Sequence, residues 1–240
     1  MKKKIMVSLL VGSAVVGASL APLSAQAVTT GNTPVQVELE GGTLPDGNGD
    51  GNTVRPDPGA TNSNFDLLFI PREFDFGTLS ISDDLTQPIP NKKDTDITQA
   101  VGEAEAIGVG DMRGTKEGWH LTAQSMGMKL GDESLEGSIT NYVINLYALN
   151  YNAETNGYHL QGTTPIDPAT KPEVINERNW VLPLGGDAVL LANATAGRGQ
   201  GLWEFVMFDT SLNITTPAYN IKAGNYTGNI TWNLVAGPSI

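Results

Sequence analysis

Apolar and polar residues alternate at Val35, Val37 and Leu39 against Gln36, Glu38 and Glu40, the period-2 pattern of a strand with one buried face. Downstream, short runs of the same kind recur with turn residues between them. They are predicted at Phe65–Ile70 (stopped by Pro71), Phe74–Ile81, Trp119–Ala123, Tyr142–Tyr151, Val181–Leu184, Ala188–Ala192, Leu202–Phe208, Tyr219–Ile221 and Tyr226–Val235. Leu202–Phe208 is apolar at nearly every position, as a strand covered on both faces requires. One segment, residues 97–107, has a helical composition, weakened by Gly102. Many short strands with turn signals every 8 to 12 residues predict an all-β chain, an antiparallel β-sandwich (Ig-like or similar) or a barrel, with at most one or two short helices.

Residues 41–64 break the pattern. They are almost wholly Gly, Pro, Asp, Asn, Ser and Thr, a composition that reads as a linker with no core of its own. The expected organisation is a leader over 1–27, an N-terminal strand plus linker over 28–63, and one β domain over 64–240.

The leader follows from the first residues. Lys2, Lys3 and Lys4 precede an apolar run from Ile5 to Leu20, and Ala25-Gln26-Ala27 supplies a small-x-small cleavage pattern, together a secretory signal peptide. An uncleaved membrane anchor is the alternative. The run is rich in Gly, Ser and Ala and short for a spanning helix. No second run of that length follows, so no membrane association is expected after cleavage. Processing leaves 213 of 240 residues and moves the net charge from −12 to −15. Such a chain is repelled by nucleic acid, anionic lipid and teichoic-acid phosphate. Any affinity for a surface therefore comes from short-range contact with uncharged or zwitterionic groups. There is no cysteine, which removes disulfides, thiolate metal sites and a Cys nucleophile and agrees with export from a Gram-positive host. The C-terminal Ala236-Gly237-Pro238-Ser239-Ile240 carries no sorting signal, so attachment is expected to be non-covalent.

Catalytic patterns are weak. The two histidines, His120 and His159, have no partner at HExxH or triad spacing. A carboxylate pair for glycoside hydrolysis is conceivable among Glu103, Glu105, Asp111, Asp132 and Glu133, but nothing singles one out. Gly108, Gly110 and Gly114 resemble a phosphate-cradling loop without the Gly-Lys-Ser/Thr that would complete it. Asp46, Asn48, Asp50, Gly51 and Asp57 have several calcium-loop positions but sit in the low-complexity stretch, interrupted by Pro56 and Pro58. The reading is a non-enzyme without cofactor.

Two W-x-L segments have a polar middle residue: Gly118-Trp119-His120-Leu121 and Thr231-Trp232-Asn233-Leu234. A third, Trp180-Val181-Leu182, runs into Pro183. The first follows Gly110-Asp111-Met112-Arg113-Gly114, and the second lies in Tyr226…Ile230-Thr231-Trp232-Asn233-Leu234…Pro238. In that order and context, with Phe76-Gly77 upstream, the chain resembles short members of the WxL domain family of Gram-positive surface proteins over nearly its whole mature length. The resemblance implies a secreted protein held non-covalently on cell-wall peptidoglycan, assembly with WxL-interacting surface proteins and, in some members, adhesion to host matrix proteins. It marks Trp119, Leu121, Trp232 and Leu234 as signature positions, with Asp111 and Arg113 accompanying them. Read from the residues alone, the two tryptophans either form a platform for stacking on sugar rings or fill the core. Asp111 and Arg113 are expected to pair and hold the loop before Trp119. If exposed, that pair contributes only about 0–1 kcal/mol.

Overall fold

The computed structural model describes residues 33–49, 52–55, 63–92, 105–162 and 165–239. The expected signal peptide, Glu103, and Asp50, Gly51 and Asp57 of the calcium-like stretch lie outside the described residues. The chain divides into a unit through Glu38 and a unit from Leu39 to Ile240. Of the first, residues 33–38 are described. They have no regular secondary structure, and Val35 and Val37 are 94% and 79% exposed. The alternation at Val35–Glu40 is thus not realised as a strand, because among the described residues no strand pairs with it.

The second unit is built from antiparallel sheets, as the spacing of strand signals predicts. The large sheet runs, in spatial order, β1 (Thr53–Val54), β2 (Phe65–Pro71), β4 (Glu105–Asp111), β13 (Gly201–Ile214), β8 (Gly137–Asn152) and β11 (Arg178–Pro183). β3 (Ile89–Pro90) adds to β13, and β9 (Gly157–Leu160) adds to β8. The smaller sheet runs β10 (Glu173–Val174), β12 (Val189–Ala194), β5 (Trp119–Ser125) and β14 (Ile230–Ala236). A hairpin of β6 (Met128–Leu130) and β7 (Glu133–Leu135) completes the set. Inward residues of both sheets form one core around Ile107, Val109, Trp119, Leu121, Trp180, Leu191, Phe205 and Met207, the arrangement of a β-sandwich. β5 alternates strictly, with Trp119, Leu121, Ala123 and Ser125 buried and His120, Thr122 and Gln124 half-buried. This is period-2 patterning made physical.

Several expectations are corrected. The helix over 97–107 fails where it is described, since Glu105, Ala106 and Ile107 open β4. β4 lies between β2 and β13 and is buried at every position. Tertiary burial overrides the helical bias of Glu and Ala there. The glycines that resemble a phosphate cradle lie in or just after that strand. A Cβ on Gly108 would stand 2.5 Å from the Phe69 ring, and one on Gly110 would stand 2.7 Å from Leu44. Their role is to admit neighbouring side chains to a crowded sheet. Phe74–Ile81 forms no strand; it is tied down by Asn91, whose Oδ1 accepts from the Asp75 amide at 2.9 Å. Tyr219–Ile221, also expected to be extended, starts inside the 3₁₀ turn Ala218–Asn220.

The stretch read as a linker is not wholly outside the core. Leu44 is 2% exposed and packs in a second cluster with Leu68, Phe69, Leu149 and Tyr158. The Tyr158 hydroxyl donates to the Pro45 carbonyl at 2.7 Å, and the Tyr158 amide donates to Asn48 at 2.8 Å. The polar composition hid a single apolar anchor and a set of backbone bonds. Burial, reinforced by the neighbouring Tyr151, pushes the Tyr158 phenol up to about 12. The unfolded phenol titrates near 10, so alkali ionises the unfolded chain first and favours it. Stability is therefore undiminished by this group below about pH 10 and falls as pH rises toward 12, with about 1–1.5 kcal/mol gone by about pH 11. Tyr158→Phe is expected to lose about 1 kcal/mol at neutral pH, with the bond to Pro45, and to lack that share of the alkaline decline. Urea midpoints at neutral and alkaline pH check both statements.

Candidate functional site

The two signature segments, more than a hundred residues apart in sequence, are neighbouring strands. β14 pairs with β5 in the register Trp232↔Ala123, Leu234↔Leu121 and Ala236↔Trp119. Trp119 and Leu121 are fully buried, Trp232 is 9% exposed, and Leu234 is half-buried against the same core. The Trp119 indole meets Phe205 edge-on at 6.3 Å and 89°. Its N–H donates to the Gly199 carbonyl at 2.9 Å, an acceptor it shares with the Trp203 indole, also at 2.9 Å. Trp232 lies stacked on Trp180 at 6.4 Å and 20°, and the Trp180 indole donates to the Leu190 carbonyl at 3.0 Å. The third W-x-L, Trp180-Val181-Leu182, therefore supplies the partner of the last. Trp119 is fully buried, and Trp232 keeps 9% exposure with one ring face on Trp180, so their burial favours the core reading over the stacking platform. The rings knit the two sheets together.

Asp111 and Arg113 close the adjacent end. Arg113 Nε and Nη2 donate to the two oxygens of Asp111, each at 2.9 Å, a bidentate pair with strong directional preference. Arg113 Nη2 also donates to the Gly118 carbonyl at 3.0 Å, Nη1 pairs with Glu117, and the guanidinium lies 3.8 Å from the centre of the Phe65 ring. The Asp111 side chain is 1% exposed and that of Arg113 10%. Hydrogen bonds from Arg113 to Asp111 hold the Arg113 guanidinium above its usual range, against the opposing effect of burial. This is a buried clamp rather than an exposed pair, and it fixes the loop that delivers Trp119. Gly118 sits at φ +83°, where a Cβ would lie 2.2 Å from the Ala194 carbonyl oxygen; only glycine serves there.

The remaining candidates are dispersed. Glu105 is fully buried at the start of β4, Asp111 is committed to Arg113, and Asp132 and Glu133 are exposed at the β6–β7 turn. His120 Nδ1 lies 2.9 Å from the Gly237 carbonyl, and His159 Nε2 lies 2.7 Å from the Thr155 hydroxyl. Asp46 pairs with Arg55. Among the described residues no group of three or more His, Cys, Asp or Glu side chains is placed to hold a metal ion, and no helix is long and apolar enough to cross a membrane.

Sequence reasoning missed a groove of about 660 Å³ between Phe76–Ile81 and Ile221–Tyr226, with Met128, Leu135, Leu212 and Ile214 also lining it. Its volume is that of a small-ligand site. Leu79 and Ile81 are 41% and 51% exposed along it, the Phe76 and Tyr226 rings are half-buried, and Lys222 brings a cation to a chain of net charge −12. Phe76-Gly77 and Tyr226 were visible only as context of the signature motifs, because nothing in one-dimensional spacing shows that these two segments meet.

Comparison with curated proteins returned no match, and comparison with solved structures returned none. A family model described as "WxL domain surface cell wall-binding" matches residues 26–238. With both W-x-L strands paired in one core beneath that match, the chain belongs to the WxL domain family of cell-surface, cell wall-binding proteins.

Proposed function

We propose that the folded β unit holds this secreted chain on the peptidoglycan of a Gram-positive wall without a covalent bond and without catalysis, as part of a complex with WxL-interacting surface proteins. The observation that carries the reading is the extent of the family match: residues 26–238 correspond to a wall-binding domain, so the β unit itself is the binding module. Charge restricts the mode. A strongly acidic surface gains nothing from teichoic-acid phosphate and favours contact with the uncharged faces of the glycan. Since the signature tryptophans are core, the groove beside Phe76 and Tyr226 is the better contact surface. Half-buried rings there suit the apolar faces of sugars, and Asn225 and Lys222 offer polar groups for orientation and for a stem-peptide carboxylate.

Sedimentation with purified sacculi stripped of teichoic acid tests this. The mature protein is expected to pellet, and Tyr226→Ala to weaken binding about 5- to 30-fold, the equivalent of about 1–2 kcal/mol, with its melting curve nearly unchanged. A mature protein that stays in the supernatant with sacculi overturns wall binding. Undiminished binding by folded Tyr226→Ala and Phe76→Ala removes the groove from it. A pull-down with surface proteins bearing WxL-interacting domains reads the complex separately.

A further inference from the structure

β14, the strand of the second signature motif, is the outermost strand of the smaller sheet. Asn229 and Gly237, flanking it, bond to the β5 side through Met126 and Gly118, so Thr231, Asn233 and Val235 do the same in the ladder. The amides and carbonyls of Ile230, Trp232, Leu234 and Ala236 consequently point away from β5. Among the described residues no hydrogen bond reaches them. The other sheet ends are short or guarded: β1 and β10 span two residues each, and β11 carries Arg178 and Pro183. β14 spans seven residues, ITWNLVA, with no charge and no proline. β2 passes near part of β14 without pairing with it, and an unpaired edge of that length without such protection is a template for a further strand.

The chain also contains a strand sequence that pairs with no strand among the described residues. Residues 34–40 have no secondary structure, and Val35, Val37 and Leu39 are 94%, 79% and 87% exposed. Their alternation with Gln36, Glu38 and Glu40 matches the alternation of β14, where Ile230, Trp232 and Leu234 face the core and Thr231 and Asn233 face out. Added beside β14, the three apolar residues would extend the core face, and the polar ones would extend the solvated face. Cleavage after Ala27 would leave six residues ahead of this segment.

We propose that residues 34–40 of one copy add as a strand to β14 of a second copy. Donor and acceptor are different surfaces, so the contact is heterologous and propagates head to tail into open chains. Each copy in such a row pairs an edge that is otherwise unpaired and covers three otherwise solvated apolar side chains. The high negative charge opposes close approach, so association strengthens with salt as that repulsion is screened.

The absence of cysteine makes the test clean. Mature Glu38→Cys and Asn233→Cys, each with its new thiol on the outward face, are mixed under mild oxidation. Glu38→Cys is separately mixed with Tyr219→Cys, which is 88% exposed, as the control. The expected result is a cross-linked heterodimer from the first mixture at least about tenfold above the control, rising with salt. Sedimentation velocity of the cysteine-free mature protein is expected to show oligomers growing with micromolar concentration, and Val37→Asp, at a residue 79% exposed, is expected to stay monomeric and folded. Heterodimer no more abundant than the control, a monomer at every concentration, or a Glu38→Cys/Asn233→Cys double variant that closes only within one chain each overturns the proposal. Sacculus binding by monomeric Val37→Asp separates failure of assembly from failure of wall attachment.

Discussion

Asp111→Ala is expected to lower unfolding free energy by about 3–5 kcal/mol, among the largest effects of any exchange of a charged residue in this chain. The magnitude comes from what the substitution leaves behind. Arg113 stays charged, its side chain 10% exposed, with two of its donors stripped of their carboxylate. It retains only the Gly118 carbonyl, Glu117 and the face of Phe65. A buried cation left with only the half-exposed carboxylate of Glu117 is more costly than an absent pair. For a domain of this size the loss corresponds to a melting temperature lower by about 6–20 °C. The double variant Asp111→Leu/Arg113→Met separates the two terms. It removes the charge with the partner and is expected to recover most of the loss, because an apolar pair of similar volume replaces a buried ion pair at little cost. A loss below about 1 kcal/mol in Asp111→Ala would place the pair with exposed ion pairs and refute its role as a clamp. The effect on wall retention follows from folding: at temperatures where Asp111→Ala remains folded, its affinity for sacculi is expected to be that of the unaltered protein.

The same clamp shows what a linear reading reaches. The positions of Asp111 and Arg113, two apart before a Gly-Trp step, were enough to expect a pair and a held loop. Their burial was not legible, because Phe65, which covers the guanidinium, comes from a distant strand. Strand content was legible wherever alternation and β-branched residues coincided with real sheet interior. Leu202–Phe208 lies within β13, Tyr142–Tyr151 within β8, and Trp119–Ala123 within β5. It failed where alternation had no partner, at Val35–Glu40, and where composition pointed the other way, at Glu105–Ile107. Residues 41–49 failed in the opposite sense: one leucine and a tyrosine hydroxyl hold a stretch whose remaining residues look unstructured. Register and adjacency are long-range facts. That β5 and β14 pair, or that Phe76 and Tyr226 share a groove, depends on how the chain returns, which local pattern does not encode.

Trp119→Ala is expected to cost about 3–5 kcal/mol, near the upper end for a single core truncation. Trp119 is fully buried, so its removal opens a cavity between sheets fixed from both sides. The edge-on contact with Phe205 and the bond to Gly199 go with it. Relaxation is hindered on the Gly199 side. That residue sits at φ +79°, and even a Cβ placed on it would lie 2.5 Å from the Trp119 indole nitrogen, so ring and backbone are in close contact. Trp119→Phe keeps most of the volume and loses one hydrogen bond while Trp203 still donates to the same carbonyl, and about 1–3 kcal/mol is the expected loss. Trp232→Phe is expected to cost less than Trp119→Phe, since Trp232 keeps some solvent exposure and its stack on Trp180 survives in part. The discriminating measurement combines denaturation midpoints with sacculus sedimentation of both Phe variants. If the signature tryptophans act by building the sandwich, stability falls in the order given while folded protein binds walls with unchanged affinity. A folded Trp232→Phe that has lost wall binding would return the ring to direct contact with ligand. Because the Trp119 and Trp232 strands are hydrogen-bonded neighbours in one sheet, the W-x-L pair then reads as a packing rule for closing the small sheet onto the large one. Recognition of the wall is left to surfaces that this packing holds in place.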